Sequence, residues 1–345
     1  MTQTYEYYIV DPGTWKDSEK LNTVTASSID RDADDETLGS ASIDMTSEIG
    51  ECYIRIYLII VQNGVTEKYP LGTYLVQTPS FTFNGKITER TLDAYSPLLE
   101  LKENAPDYGY TLMKKTNIMN VAGTLTREHT RAPVITTTNT KALFSDFTAD
   151  TNDTWLTFLR DLISDAKYEF SVDPLGNILF APIQSLASMQ HIWEYTDDNS
   201  SILYPDITYE QDLYGIPNVV EVIYSSNDRM YVGRAVNSDP DSIVSTVNRG
   251  REILYRETSP SFTGTPTKVE VQQYAEQLLD SKSSVQCSVT YKHGYCPVTI
   301  NDCVLLNYKR AGLKNIRARV TRQSIECVPG CPVEETAIFM KNLWR

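Results

Sequence analysis

The stretch Asp153–Pro182, DTWLTFLRDLISDAKYEFSVDPLGNILFAP, reads as one amphipathic helix feeding a short hairpin. Trp155, Phe158, Leu159, Leu162, Ile163 and Ala166 recur at three- and four-residue intervals and line one helical face. Arg160, Asp161, Ser164 and Asp165 line the other. Asp153 is placed to cap the helix start. Beyond it, Tyr168, Phe170 and Val172 alternate with polar residues, Asp173-Pro174-Leu175-Gly176-Asn177 supplies turn chemistry, and Ile178 and Phe180 resume the alternation. A helix packed on a hairpin is therefore expected between two β-rich halves.

Outward from this module the chain turns to strands. Before it, Tyr5–Val10, Ser40–Met45, Cys52–Val61 and Gly72–Gln77 read as strands, and Asn63-Gly64 between apolar runs is a hairpin signal because both residues tolerate positive φ. A short helix is predicted from Asn117, with Ile118, Val121, Ala122 and Leu125 on one side and Gly123 weakening it. Residues 134–153, VITTTNTKALFSDFTADTND, read as a Thr-rich linker. After the module come a strand at Val219–Tyr224, preceded by Pro217, and a second helix from Thr267 to about Ser281. Thr267 and Glu270 form its capping box, and Tyr274, Ala275, Leu278 and Leu279 its buried stripe. Strands return at Val285–Lys292, Cys303–Tyr308 and Ile316–Ile325.

Composition narrows the function. With 345 residues, 41% hydrophobic and 22% charged, the chain has room for two or three domains with cores of their own. No apolar run approaches bilayer length and the start, MTQTYEYYIVDPG, lacks signal-peptide character, so synthesis in a cytoplasm is expected. The formal charge of −14 argues against tight binding of phosphate backbones, which depends on Lys and Arg displacing counterions.

Candidate chemistry is sparse. The six cysteines, Cys52, Cys287, Cys296, Cys303, Cys327 and Cys331, lack paired zinc-ligand spacing even with His293 among them, and reduced cysteines in strand cores are expected. His129, His191 and His293 lie in no nucleophile or metal motif. Asp30, Asp32 and Asp34 begin like a calcium loop, but Asp35 stands where Gly is needed and Ala41 where the bidentate Glu belongs, so Asp30–Gly39 reads as a polar loop. No catalytic, cofactor or metal residue is assigned, and no enzymatic activity is expected.

The order of segments resembles the baseplate hub, or tail-tip hub, family of tailed bacteriophages, including the N-terminal hub region of siphophage tail-associated proteins. The likeness is carried by YPLGTYLVQTPSFTFNGKITERTLDAYSPLLEL (Tyr69–Leu101), TNIMNVAGTL (Thr116–Leu125), the module at Thr154–Pro182, DLYGIPNVVEVIYS (Asp212–Ser225), the helix from Thr267 and INDCVLLNYKRAG (Ile300–Gly312). The resemblance implies a mainly β fold with α+β insertions: two β-barrel-like tail-tube domains, residues 1–104 and 201–226 with 284–345, plus small modules at 105–200 and 227–283. It further implies a homotrimer that caps a hexameric tail tube or distal tail proteins above and meets a spike, fibre or plug protein below. Double-stranded DNA would pass through transiently, without sequence-specific binding. The implied location is the virion tail tip, after assembly in a host bacterial cytoplasm. A trimeric carbohydrate- or receptor-binding tail protein and a tail-associated cell-wall hydrolase are the alternative classes.

Overall fold

A computed structural model describes residues 2–344 except Asn84, Ile87, Asn227 and Asp228. The chain divides into two compact units, Met1–Asp206 with Tyr291–Thr336, and Ile207–Thr290 with Ala337–Arg345.

The first hundred residues form β1 (Thr2–Asp11), β2 (Lys16–Leu21), β3 (Val24–Asp32), β4 (Ser40–Met45), β5 (Tyr53–Gln62), β6 (Val65–Phe83), β7 (Thr88–Tyr95) and a short α1 (Leu99–Lys102). The β5–β6 hairpin turns on Asn63 and Gly64, at φ 52° and 79°, the backbone that a two-residue type I′ loop requires. Strand β6 runs for 19 residues, well beyond the predicted Gly72–Gln77, because its second half pairs with β7 in place of β5. The Asp30–Gly39 segment is strand through Asp32 and turn thereafter. Its carboxylates serve their own backbone, with Asp32 accepting from the Asp34 N–H and Asp35 from the Thr37 N–H.

Strand β5 is buried along most of its length on both faces, which explains its near-continuous apolar run. Ile54, Ile56 and Leu58 join Ile29, Ile43, Leu92, Ile325 and Val333 in the main core. On the opposite face Tyr53 packs with Val10, Leu75 and Leu99, while Arg55, its neighbour but one, is buried among polar partners.

The next segment holds β8 (Thr111–Leu112), α2 (Ile118–His129), β9 (Val134–Ile135), β10 (Phe147–Thr148), α3 (Trp155–Asp165), β11 (Tyr168–Val172) and β12 (Ile178–Pro182). Helix α3 and its hairpin lie where the periodicity puts them, and Trp155, Phe158, Leu159, Leu162 and Ile163 form one core with Ile118, Met119, Ala122 and Leu125 of α2. The cap of α3 is Thr154, not Asp153: the Thr154 hydroxyl accepts from the Thr157 N–H at 3.2 Å, and Asp153 instead accepts from the Thr157 hydroxyl. Gly123 has a packing reason. A Cβ there would stand 2.7 Å from Thr136 Cγ2. The Thr-rich stretch is less of a linker than expected, since β9 pairs with β12 and β10 with β8.

One buried side chain fastens this module's hairpin turn to the sheet. Arg55 donates to Asp17 (2.8 Å), Thr73 Oγ1 (2.9 Å) and the carbonyls of Trp15 and Leu175. Trp15 Nε1 also donates to the Leu175 carbonyl. Gly176, at φ 80°, sits so close that a Cβ would meet Thr73 at 2.8 Å and Trp15 at 3.0 Å.

The remaining elements are β13 (Trp193–Thr196), β14 (Leu203–Gln211), β15 (Val219–Ser226), β16 (Arg229–Val236), α4 (Thr246–Arg249), β17 (Leu254–Glu257), α5 (Lys268–Lys282), β18 (Ser284–His293), β19 (Cys303–Asn307), β20 (Ile316–Glu326) and β21 (Val333–Asn342). Among the described residues the largest sheet has thirteen strands in the order β14-β18-β21-β20-β3-β4-β7-β6-β5-β1-β2, with β19 on β20 and β13 on β19. Strands from both ends of the sequence meet where β3 pairs antiparallel with β20, Ile29 opposite Ile325.

In the second unit β15 lies between β16, antiparallel, and β17, parallel, and α5 covers the sheet. The capping box of Thr267 and Glu270 forms as expected. The fully buried stripe of α5 is Val271, Ala275 and Leu279, with Tyr274 and Leu278 only partly covered. Gly233 of β16 permits this approach, because a Cβ there would lie 2.4 Å from the Val271 carbonyl oxygen.

Candidate functional site

A set of titratable side chains in the first unit forms a sealed cluster around Glu335. Strand β21 alternates Val333, Glu335 and Ala337 inward, so a carboxylate occupies a core position. Its Oε1 accepts from Gln323 Nε2 of β20 at 2.7 Å, and its Oε2 accepts from the hydroxyls of Tyr291 (2.9 Å, β18) and Tyr195 (3.0 Å, β13). His293 Nε2 lies 3.3 Å from Oε1 and 3.1 Å from the Tyr195 hydroxyl. The other ring nitrogen, Nδ1, donates to the Gly294 carbonyl at 2.6 Å. Glu335 and His293 are wholly shielded from solvent.

This geometry sets the charge state. Nδ1 must carry hydrogen to bond a carbonyl, and the Tyr195 hydrogen is committed to Glu335. The Tyr195 oxygen and Glu335 Oε1 are therefore both acceptors facing Nε2, which favours the doubly protonated ring. Burial alone would depress the imidazole pKa, but hydrogen bonds with Cys296 and Glu335 and the Glu335 charge outweigh it and raise His293 to about 10. Burial would likewise raise Glu335. Hydrogen bonds from His293, Gln323 and Tyr291, with the His293 charge, hold it below the usual carboxylate range.

The cluster continues into the first strand group. Arg31 of β3 donates to Gln323 Oε1 and to the Leu71 carbonyl of β6, and Gln323 Nε2 also donates to the Val298 carbonyl at 2.9 Å. Polar side-chain bonds thus run from β13, β18 and β21 through β20 to β3 and β6, and Arg31 stands opposite Gln323 in the β3–β20 register. The cavity beside Arg31 is about 30 Å³, with room for water and not for a substrate. Chemically the arrangement can hold strands together; it offers no access to a reacting molecule.

The histidines singled out in sequence lie apart. His129 stacks on Trp155 at 4.2 Å, His191 is exposed, and His293 belongs to the cluster. Five cysteines are buried and Cys52 is half-buried, all six as free thiols, with Cys327 and Cys331 in the main core. Sequence reasoning missed Glu335, Tyr195, Gln323 and Arg31. The available signal was the inward phase of V-x-E-x-A-x-F at residues 333–339, which places one acid among apolar residues.

Exposed apolar side chains define the other candidate surfaces. The β6–β7 hairpin carries Phe81 and Phe83 at 73% and 63% exposure, and the α2–α3 module carries Met113 at 65% and Phe144 at 100%. Among the described residues no helix is long and apolar enough to cross a membrane.

The architecture is a mainly β chain in two units with an α-helical module built on the sheet, and it is the fold of phage tail proteins. It is similar over 100% of its length to 98% of a tail protein from Neisseria meningitidis MC58, with TM-score 0.61 at 12% identity. A 43 kDa tail protein of prophage MuSo2 from Shewanella oneidensis is equally similar, with TM-score 0.61 and 12% identity over 97% of this chain and 98% of that one. No family model and no curated protein matches the sequence.

Proposed function

We propose that the chain is a structural virion protein, a baseplate or tail-tip hub that assembles as a homotrimer, joins the hexameric tail tube to the tip and forms part of the DNA ejection channel. The observation that carries this reading is likeness over whole chains: two tail proteins superpose on nearly all of this one and are themselves nearly all covered. A shared fold is an associational warrant for function, so the sealed polar cluster matters beside it. The buried Glu335–His293 pair is spent on joining strands and opens on no cleft, which fits a structural role.

In this reading residues 1–104 and residues 201–226 with 284–345 are the two tube domains, so that three chains present six. The modules at 105–200 and 227–283 decorate them. Hexameric tail-tube or distal tail proteins lie above and a spike, fibre or plug protein below. The charge of −14 suits a conduit through which DNA phosphates pass without being held. Mass photometry with negative-stain imaging tests the proposal. A trimer mass with a ring and central channel is expected, and a compact monomer at every concentration would refute it.

A further inference from the structure

Two thiols of the first unit are placed for chemistry that the strand-joining cluster does not use. Strand β20 turns into β21 through Cys327-Val328-Pro329-Gly330-Cys331-Pro332. The Glu326 N–H donates to the Pro332 carbonyl at 3.1 Å, and the Cys331 N–H to the Val328 carbonyl at 2.9 Å, which closes a tight turn with Gly330 at φ 99°. Cys327 and Cys331 therefore face each other one step inside the last rung of the hairpin, and the Cys327 N–H turns away to the Ser27 carbonyl of β3 at 3.1 Å. Facing residues of an antiparallel pair stand about 4.5–5.5 Å apart at Cα, within the roughly 4.4–6.8 Å that a disulfide spans. Both side chains enter the same apolar core. Cys331 also holds φ 42°, a left-handed backbone that Gly or Asn ordinarily takes and that another residue keeps only where its surroundings enforce it. Strand β1 supplies that enforcement: the Tyr5 hydroxyl donates to the Val328 carbonyl and the Gly330 N–H to Gln3 Oε1, both at 2.7 Å.

We propose that Cys327 and Cys331 are a redox pair that closes into a disulfide across this turn, with a small-molecule disulfide of the glutathione type as oxidant. The Cys327 thiolate attacks one sulfur of the oxidant, forms a mixed disulfide and displaces one small thiol. The Cys331 thiolate then attacks the Cys327 sulfur and displaces the second. Two protein thiols are oxidised to one disulfide, and the oxidant leaves as two thiols that carry off both protons. Only three residues separate the pair, so the second thiol is always at hand for the mixed disulfide. Access sets the pace. Val328 at the outer edge of the turn is 42% exposed, whereas Cys327 and Cys331 are at 8% and 0%. Burial pushes the Cys327 thiol up to about 12 and raises Cys331 as well, so few thiolates exist at neutral pH and closure is slow there, speeding up as pH rises. The bond does not depend on the hub reading, but its timing does: a chain made in a reducing cytoplasm and released on a particle carries the pair open first and closed afterwards.

The test incubates the folded full chain with oxidised glutathione at about pH 8, blocks free thiols with an alkylating agent under denaturing conditions, and maps tryptic peptides by mass. Cleavage after Arg322 and Lys341 puts both cysteines, and no other, in the peptide 323–341. The expected product is that peptide two hydrogens lighter and unalkylated, restored to two alkylated thiols by reductant, with the other four cysteines alkylated throughout. Its formation should speed up about tenfold for each unit of pH, as thiolate chemistry requires. The single variants C327S and C331S should instead stop at the mixed disulfide with glutathione. A wild-type chain that keeps both thiols alkylatable would overturn the proposal without any variant having to fold. So would a bond from either cysteine to Cys52 or to a second chain.

Discussion

Replacing Glu335 with Gln removes the counter-charge of a fully buried imidazolium while preserving side-chain volume. Unfolded, His293 titrates near 6.5; folded, it titrates near 10. Between these values the folded chain holds a proton that the unfolded chain has lost, so stability falls as pH rises through that window. Each unit is worth about 1.4 kcal/mol, and the shift therefore represents on the order of 5 kcal/mol, present below pH 6.5 and gone once His293 deprotonates. Glu335 bounds the acid side, because its stabilisation is present above the ordinary carboxylate range and is lost as pH falls through its lowered pKa. Glu335→Gln should cost about 3–5 kcal/mol at neutral pH, the usual consequence of stranding one member of a buried pair. It should also flatten the alkaline slope. Urea unfolding followed by hydrogen exchange of the β18 and β21 amides measures both quantities. A variant within about 1 kcal/mol of wild type that keeps the wild-type slope between pH 6.5 and 10 would refute the assignment of a charged His293–Glu335 pair.

Arg55→Ala deletes a cation 5% exposed that serves Asp17, Thr73 and two carbonyls. A loss of about 3 kcal/mol is expected, together with faster proteolysis at the Asp173–Asn177 turn, and an unchanged cleavage rate would show that the turn is held by other means. Gly176→Ala combines positive φ with a Cβ clash against Thr73, whereas Gly264→Ala has positive φ in open space. The first should lower stability by about 2–3 kcal/mol and the second by about 1 kcal/mol, read as melting temperatures; equal shifts would mean that the crowding at Gly176 relaxes freely.

What sequence reading recovers depends on how much each element relies on local pattern. Helix α3, its hairpin, the Asn63-Gly64 turn and the α5 capping box are legible because each carries its own periodicity or stereochemistry. Strand β2, KDSEKL, escapes: as an edge strand with all but its last residue exposed it has no inward face to alternate. Strands β9 and β10 are two residues each, too short for any pattern, and they hide in a Thr-rich stretch that composition labels a linker. The cap of α3 moved by one residue because Thr157 at the third helical position closes a box with Thr154 and leaves Asp153 to bind the Thr157 hydroxyl. The Glu335 cluster needed partners as far apart as Arg31 and Gln323, separated by 292 residues, and no local window contains them.

The same distinction explains how a chain can share a fold with tail proteins while matching them at 12% of positions. Strand β5 requires residues that tolerate burial on both faces, and α3 requires one apolar stripe; many side chains satisfy either demand. A fold specified by burial phase and turn stereochemistry can therefore exchange most of its residues without moving its strands. Interior polar groups are held to a stricter standard, because each must be replaced together with its partners. Exchanging Glu335 alone strands His293 and takes an acceptor from Gln323 and two tyrosines, whereas exchanging Ile56 for another aliphatic residue strands nothing. The cluster should then change as a block or stay as a block, while the apolar core around it drifts one residue at a time.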